Sequence, residues 1–311
     1  MKEILFLEPV FKHTIWGGAK LREEFGYEIE GDDIGECWGI SAHENGDCKV
    51  TSGSYAGMHL SEVWEKHPEL FGNAAGGKFP LLVKIIDAKD DLSIQVHPDD
   101  AYAKEHENGS FGKTECWYIL DCAEDAALVV GHHAKTPEKL RQMVEAGQWS
   151  ELIREVPIKK GDFIQIDPGM VHAIKAGVML LETQQSSDVT YRVYDYDRLS
   201  DGKPRELHID KSLDVIFAPA PDTDDLVVST EDTVKNELCE LIRCPYYTVY
   251  KLEVDGTVEL DLAFDFLLMS VTEGEGTVNG QAIKKGSHFI LPSGFGKVEL
   301  KGKLQMMISH C

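Results

Sequence analysis

The feature that most constrains this chain is an internal echo among short strand-like segments. Ile158-Lys159-Lys160-Gly161 leads into DFIQIDPGMVH, and Ile283-Lys284-Lys285-Gly286 leads into SHFILPSGFGK. Each copy reads glycine, strand, Pro/Gly turn, and then a polar residue eleven positions after the glycine: His172 in the first and Lys297 in the second. A segment repeated in this way implies two structural units of one kind. Both units are rich in strands. LLVKII (81–86), LSIQV (92–96), CWYIL (116–120), ALVVG (127–131), DFIQI (162–166) and VMLLE (178–182) are short runs bounded by turn residues, and YTVYKLEV, FDFLLMSV, GTVNG, HFILP and KLQMMI follow in the last third. Many short strands at this spacing suit barrels or sandwiches, the usual ways an all-β chain disposes of exposed sheet edges.

Helices are few. SEVWEK (61–66) has Ser61 as its predicted N-cap, and Asp99-Asp100 stands before AYAKEHE. Thr136-Pro137 opens a longer helix with Leu140, Met143 and Val144 on one face and a break at Gly147, and a further turn carries Trp149, Leu152 and Ile153. ELHIDKSLDVI (206–216) reads as helical, and Gly17-Gly18 as a turn before a short helix. Acidic PAPDTDD (219–225) reads as a linker. The expectation is a mainly β chain of two jelly-roll-like barrels. The first spans 1–218 with a small helical insertion around 99–157, and the second spans 219–311.

Charge narrows the partners. The formal net charge is −23, a field that repels nucleic acid and anionic lipid alike. An anionic substrate would therefore need a locally basic pocket, which makes each lysine or arginine near a chemical motif informative. No apolar run reaches the length of a membrane span. The opening MKEILFLEPVFKHTIWGG carries Glu8, Lys12 and bulky aromatics and lacks a small-residue cleavage site, so no signal peptide is expected. The seven cysteines are odd in number and form no CxxC pair, which points to reduced thiols in the cytoplasm and away from a zinc–thiolate site.

The chemistry concentrates between residues 92 and 192. In Leu92-Ser93-Ile94-Gln95-Val96-His97-Pro98, side chains two apart share a strand face, so Gln95 and His97 point the same way. Lys113 and Glu115 share a face by the same rule, and Asp167-Pro168-Gly169-Met170-Val171-His172 is a tight turn delivering a histidine to a strand start. Two imidazoles and a carboxylate suit Zn²⁺ or another borderline divalent ion, with the Gln95 amide oxygen as a fourth ligand. A lone strand histidine is more often a surface or hydrogen-bonded core residue than a ligand, and spacing alone does not overturn that. His132-His133 reads as surface, since neighbours in a strand face opposite ways, and the remaining histidines carry no local context. Cys116 faces away from Glu115 and reads as core. Lys84 sits in an otherwise apolar strand, where desolvation would lower its pKa. No GxxxxGK[ST] phosphate loop, GxSxG or Ser-His-Asp order is present.

At this point the residues resemble a family. LSIQVHPDD, GKTECWYIL, DPGMVHAI and ETQQSSDVTYRVYDYDR, with Trp16-Gly17-Gly18, GECWGIS (35–41) and FPLLVKIIDAKDDLSIQVHP, are similar to type I phosphomannose isomerase (mannose-6-phosphate isomerase) in its shorter bacterial form. The likeness runs from the N-terminus to about Arg198 and weakens to general barrel character beyond. It implies a cupin fold, one Zn²⁺ per chain on Gln95, His97, Glu115 and His172, and Arg192 as the active-site arginine. One departure is Lys113-Thr114-Glu115, where many members have Lys-Pro-Glu.

The implied reaction interconverts mannose 6-phosphate and fructose 6-phosphate, moving a proton between C2 and C1 through an enediol. Glu182, Asp188, Lys113 and Lys84 are the candidates for the proton shuttle; Arg192 steadies the oxyanion or fixes the substrate. Lys113, Ser93 and Arg192 are the candidate substrate contacts, the first two for phosphate. Two other readings keep the fold: a metal-dependent cupin oxygenase, or a sugar-phosphate-binding cupin without turnover. The expected partner is a small sugar phosphate, with no nucleic acid and no membrane, on a monomer or weak homodimer.

Overall fold

A computed structural model describes residues 2–74, 77–200, 202–222 and 226–311. The chain is mainly β, with a cupin-type sandwich at its N-terminal side. A seven-stranded sheet runs, in spatial order, Val227–Ser229, Asp162–Ile166, Glu115–Asp121, Met179–Gln185, Leu81–Asp87, Ile34–Ile40 and Val10–Gly18. A five-stranded sheet faces it, in the order Ile153–Pro157, Ala127–His132, His172–Ala173, Ile94–Val96 and Tyr191–Tyr194. The two sheets do not close on each other by strand pairing; side chains join them, which makes the unit a sandwich of the jelly-roll kind rather than a closed barrel.

Period-two alternation organises the larger sheet. Ile86, Trp117, Ile119, Ile164, Ile166 and Leu180 point inward and pack with Leu128 and Val130 of the smaller sheet. The residues between them, among them Val83, Ile85, Cys116, Tyr118, Phe163 and Leu181, point out of the back. There they meet Tyr247, Val249, Leu268, Ile290 and Met307 of the C-terminal sheet. The larger sheet is thus buried on both faces, which explains why its strands read as nearly continuous apolar runs. Cys116 faces this rear core, as its alternation with Glu115 requires.

The C-terminal unit is an eight-stranded sheet with a core of its own. Thr248–Leu262, Leu267–Val278 and Gly296–His310 are its long strands. Gly302 lies opposite Gly256 on one side and Gly276 on the other, and has φ of 136°. A Cβ there would meet the Glu275 carbonyl oxygen at 2.5 Å, so only glycine allows the three strands to pair this closely. The sheet completes itself with the N-terminus: Leu5–Glu8 pairs with His288–Leu291 and with Lys49–Val50. The echo is structurally real. Gly161 and Gly286 have φ of 87° and 86°, and each precedes a strand and a turn. His172 is buried, whereas Lys297 is exposed.

Local expectations met several corrections. The helix Leu60–Lys66 is capped by His59, whose backbone N–H donates to Glu62; Ser61 lies inside it and donates to Asp47. Gly17 and Gly18 end the strand Val10–Gly18 instead of forming a turn. A Cβ on Gly17 would lie 2.4 Å from Gly35 N, so the pair is needed for close backbone packing. The 206–216 segment is helical only over Ile209–Val215. His132 is buried and bonds the Phe217 carbonyl at 2.8 Å; only His133 faces solvent. Of the expected linker, 223–225 lie outside the described residues. Asp99 and Thr136 do cap their helices, each accepting from a backbone N–H three residues on.

Candidate metal centre and active-site cleft

Three strands deliver the centre. Register places His172 opposite Gln95, and Gln95 opposite Arg192, on adjacent strands of the smaller sheet. Glu115 opens a central strand of the larger sheet, opposite Gln184 and Ile166. His97, Glu115 and His172 meet between the sheets, each 1% exposed. Their ligand atoms lie within 4.8 Å of one another. His97 Nε2 stands 3.1 Å from His172 Nε2 and 3.5 Å from Glu115 Oε2, and His172 Nε2 stands 3.4 Å from Glu115 Oε1.

The donor set fits a metal ion. His97 Nδ1 bonds the Val189 carbonyl and His172 Nδ1 the Met170 carbonyl, both at 2.9 Å. A carbonyl can only accept, so both protons are on Nδ1 and both Nε2 lone pairs point at each other. Burial pushes the His172 imidazole down to about 4. Burial, then the Lys113 and His172 charges, holds His97 well below the ordinary range. Two neutral imidazole acceptors and a buried carboxylate, with the Lys113 ammonium beside them at 2.9 Å from Glu115 Oε2, form a donor set of the kind that holds a divalent cation. Ligand atoms around a tetrahedral zinc with bonds of 2.0–2.1 Å stand about 3.3 Å apart, close to the separations found here. Gln95 stands beside the set: its amide nitrogen is 3.3 Å from His172 Nε2, and a half-turn of the amide presents the oxygen instead.

A cleft of about 630 Å³ lies beside the centre, and its lining residues Gln95 and Lys113 touch His172, His97 and Glu115. Lys84, Ser93, Gln95, Lys113, Glu182, Asp188 and Arg192 all line it. Lys113 Nζ lies 2.9 Å from Glu115 Oε2, 3.2 Å from His97 Nε2 and 3.5 Å from Glu182 Oε1. Lys84 Nζ lies 3.3 Å from Glu182 and 3.4 Å from Glu36. This overturns the desolvated-lysine reading. Burial does work against the Lys84 charge, but Glu182, Glu36 and Glu115 together hold its pKa above the ordinary value. Glu182, 2% exposed, is raised by burial and by the Glu115 charge despite the two lysines. Asp188 sits apart at the exposed rim, accepting from Asn45 at 2.9 Å. Arg192 Nε is buried with no hydrogen-bond partner among the described residues.

Sequence reasoning missed several lining residues, among them Glu36, Trp117 and Arg205. Trp117 was findable, being two residues beyond Glu115 on the same face. Glu36 and Arg205 come from strands and turns whose placement no local pattern reveals. The wall is also less basic than a −23 chain with an anionic substrate suggested, for Asp32, Asp33 and Asp90 line it too.

A model described as phosphomannose isomerase type I, catalytic domain, matches residues 4–118, and one described as mannose-6-phosphate isomerase, cupin domain, matches 237–311. Mannose-6-phosphate isomerase ManA of Bacillus subtilis (strain 168) is 49% identical, covering 99% of each chain. The chain belongs to the type I phosphomannose isomerase family. A second relative of this family, probable mannose-6-phosphate isomerase GmuF of the same organism, is 48% identical over 100% of both chains. A crystal structure of mannose 6-phosphate isomerase from Bacillus subtilis superposes with a TM-score of 0.95 at 44% identity, covering 100% of both chains. Among the described residues of this family member, no helix is long and apolar enough to cross a membrane.

Proposed function

We propose that this chain is a metal-dependent aldose–ketose isomerase interconverting mannose 6-phosphate and fructose 6-phosphate through an enediol, in the cytoplasm, with one Zn²⁺ on His97, Glu115, His172 and Gln95. The observation that carries the reading is the convergence of two imidazoles and a buried carboxylate beside a cleft lined by Lys84, Lys113, Glu182 and Arg192. A bound divalent ion supplies Lewis acidity toward the sugar's C1 and C2 oxygens.

The chain's own residues do the rest. Lys113 sits at the centre with a positive charge for an oxygen that gains negative charge as the C–H bond breaks. Glu182 is our choice of proton carrier. Its raised pKa keeps the carboxyl closer to neutrality than a solvated glutamate, and Lys84 and Lys113 fix it in place. Arg192 keeps a permanent charge beside Gln95 and orients the substrate. Residues 1–218 act as the catalytic domain, and 219–311 as a metal-free companion covering the back of its larger sheet.

The test is turnover of mannose 6-phosphate after chelation and again after zinc is returned. Activity lost and restored, and absent in a folded His97→Ala variant, supports the reading. A folded, zinc-loaded protein without turnover defeats it and leaves the oxygenase and binding-only alternatives.

A further inference from the structure

The substrate's phosphate needs a partner away from the reacting carbons. In an extended hexose 6-phosphate, phosphorus lies roughly 7 Å or more from C1 and C2, at about 1.5 Å per bond. Lys113 touches both His97 and Glu115, so it belongs to the reacting end. Lys84 is neutralised by two glutamates. A cation further along the cleft has to meet the phosphate.

Strand register gives the direction. Tyr191 lies opposite Val96, Arg192 opposite Gln95, and Tyr194 opposite Ile94. Going from 192 to 195 therefore leads away from His97, at about 3.3 Å per residue. Asp195 stands at that end, 4% exposed, and holds two guanidinium groups with one carboxylate. Arg205 donates from Nε to Oδ2 at 2.7 Å and from Nη2 to Oδ1 at 2.5 Å; Arg198 Nη2 donates to Oδ1 at 2.6 Å. Arg198 neutralises the carboxylate, which leaves the Arg205 charge in surplus. Arg205 lines the cleft with Arg192, Ser93 and Ser200, and its Nη1 donates to no acceptor among the described residues. Asp32, Asp33 and Asp90 also line the cleft and repel an anion, which leaves the phosphate to its arginines.

We propose that Arg205 anchors the phosphate of the sugar phosphate and that Asp195, buried behind it, is the positioning residue that sets its fork. A bidentate hold on one edge leaves the other edge of the planar guanidinium aimed and immobile, so little freedom is lost on binding. This rests on the isomerase reading, because the substrate's two ends define the geometry.

The experiment measures KM and kcat for mannose 6-phosphate on zinc-loaded enzyme. Arg205→Ala is expected to raise KM about 10–100-fold with kcat changed by less than about threefold, the signature of lost binding common to ground and transition states. Arg205→Lys keeps the charge and recovers part of the loss, and serves as the readout should the alanine variant fail to fold. Asp195→Asn raises KM by a smaller factor, and adds nothing on the Arg205→Ala background, a coupling that a merely structural role would not produce. Unchanged KM in the folded arginine variants, or a fall in kcat alone, overturns the anchor while leaving the isomerase standing. A wild-type enzyme that does not turn over mannose 6-phosphate overturns both.

Discussion

Replacing Lys84 with methionine tests the charge cluster between the sheets most directly. Lys84 is 7% exposed and lies between Glu182 and Glu36. Methionine fills nearly the same volume, so the change removes the charge and little packing. It leaves Glu182, 2% exposed, with Lys113 at 3.5 Å as its remaining ion-pair partner. Breaking a buried pair from one side costs about 3–5 kcal/mol. With roughly 2 cal/mol/K of unfolding entropy per residue over 311 residues, that corresponds to about 5–8 °C in Tm. The measurement is urea and thermal unfolding in EDTA, which holds metal occupancy constant between variants. Adding Glu182→Gln removes the stranded charge and should return more than half of the loss. The pH dependence has a definite sign. Burial and the Glu115 charge raise the Glu182 pKa, so folding disfavours its ionised form. The Lys84→Met deficit must therefore be largest near neutrality and shrink as acid protonates the carboxyl. A loss below about 1 kcal/mol, or a double variant as unstable as the sum of the two singles, refutes the account of these groups as a coupled ion cluster.

Other expectations can be checked in the same preparations. Arg192→Ala should retain zinc, measured by elemental analysis, yet lose at least about 100-fold in kcat/KM; activity close to wild type would remove Arg192 from the site. His288, buried against Tyr27 and Ser270, is pushed down to about 4 by burial, so the folded state resists its protonation. Stability should fall by up to about 3 kcal/mol as pH drops from about 6.5 to about 4, and His288→Gln should flatten that slope in the zinc-loaded protein. Gly302→Val should cost at least about 2 kcal/mol, since its φ and the Glu275 carbonyl both exclude a Cβ; an unchanged urea midpoint would show that the strand pairing there relaxes freely.

The candidate site was legible because its parts are local. Ser93, Gln95 and His97 share a face through a two-residue period, Lys113 and Glu115 do the same, and the Pro168-Gly169 turn delivers His172. Family resemblance then tied these pieces together. The strands Leu5–Glu8, Val10–Gly18 and Ile34–Ile40 escaped a local reading, because glycines, turn residues and sheet edges blur their alternation. The Lys84 error has a similar origin. An apolar strand sequence implies burial correctly, but the carboxylates that reverse the effect of burial arrive from Glu36 and Glu182 on the two neighbouring strands.

By itself, then, the sequence determined the mainly β character, the repeated glycine–strand–turn unit, the helix caps at Asp99 and Thr136, and which side chains share a face, since all of these follow from backbone periods of a few residues. Only the tertiary structure decided that the N-terminal strand completes the C-terminal sheet, that the larger sheet is covered on both sides, that Lys84 stays charged, and that Arg205 is held at the far end of the cleft by Asp195. Those outcomes depend on strand order and on charges brought together across the sheets, and long-range pairing of that kind is chosen by the packing of the whole core, with no signature in any one segment.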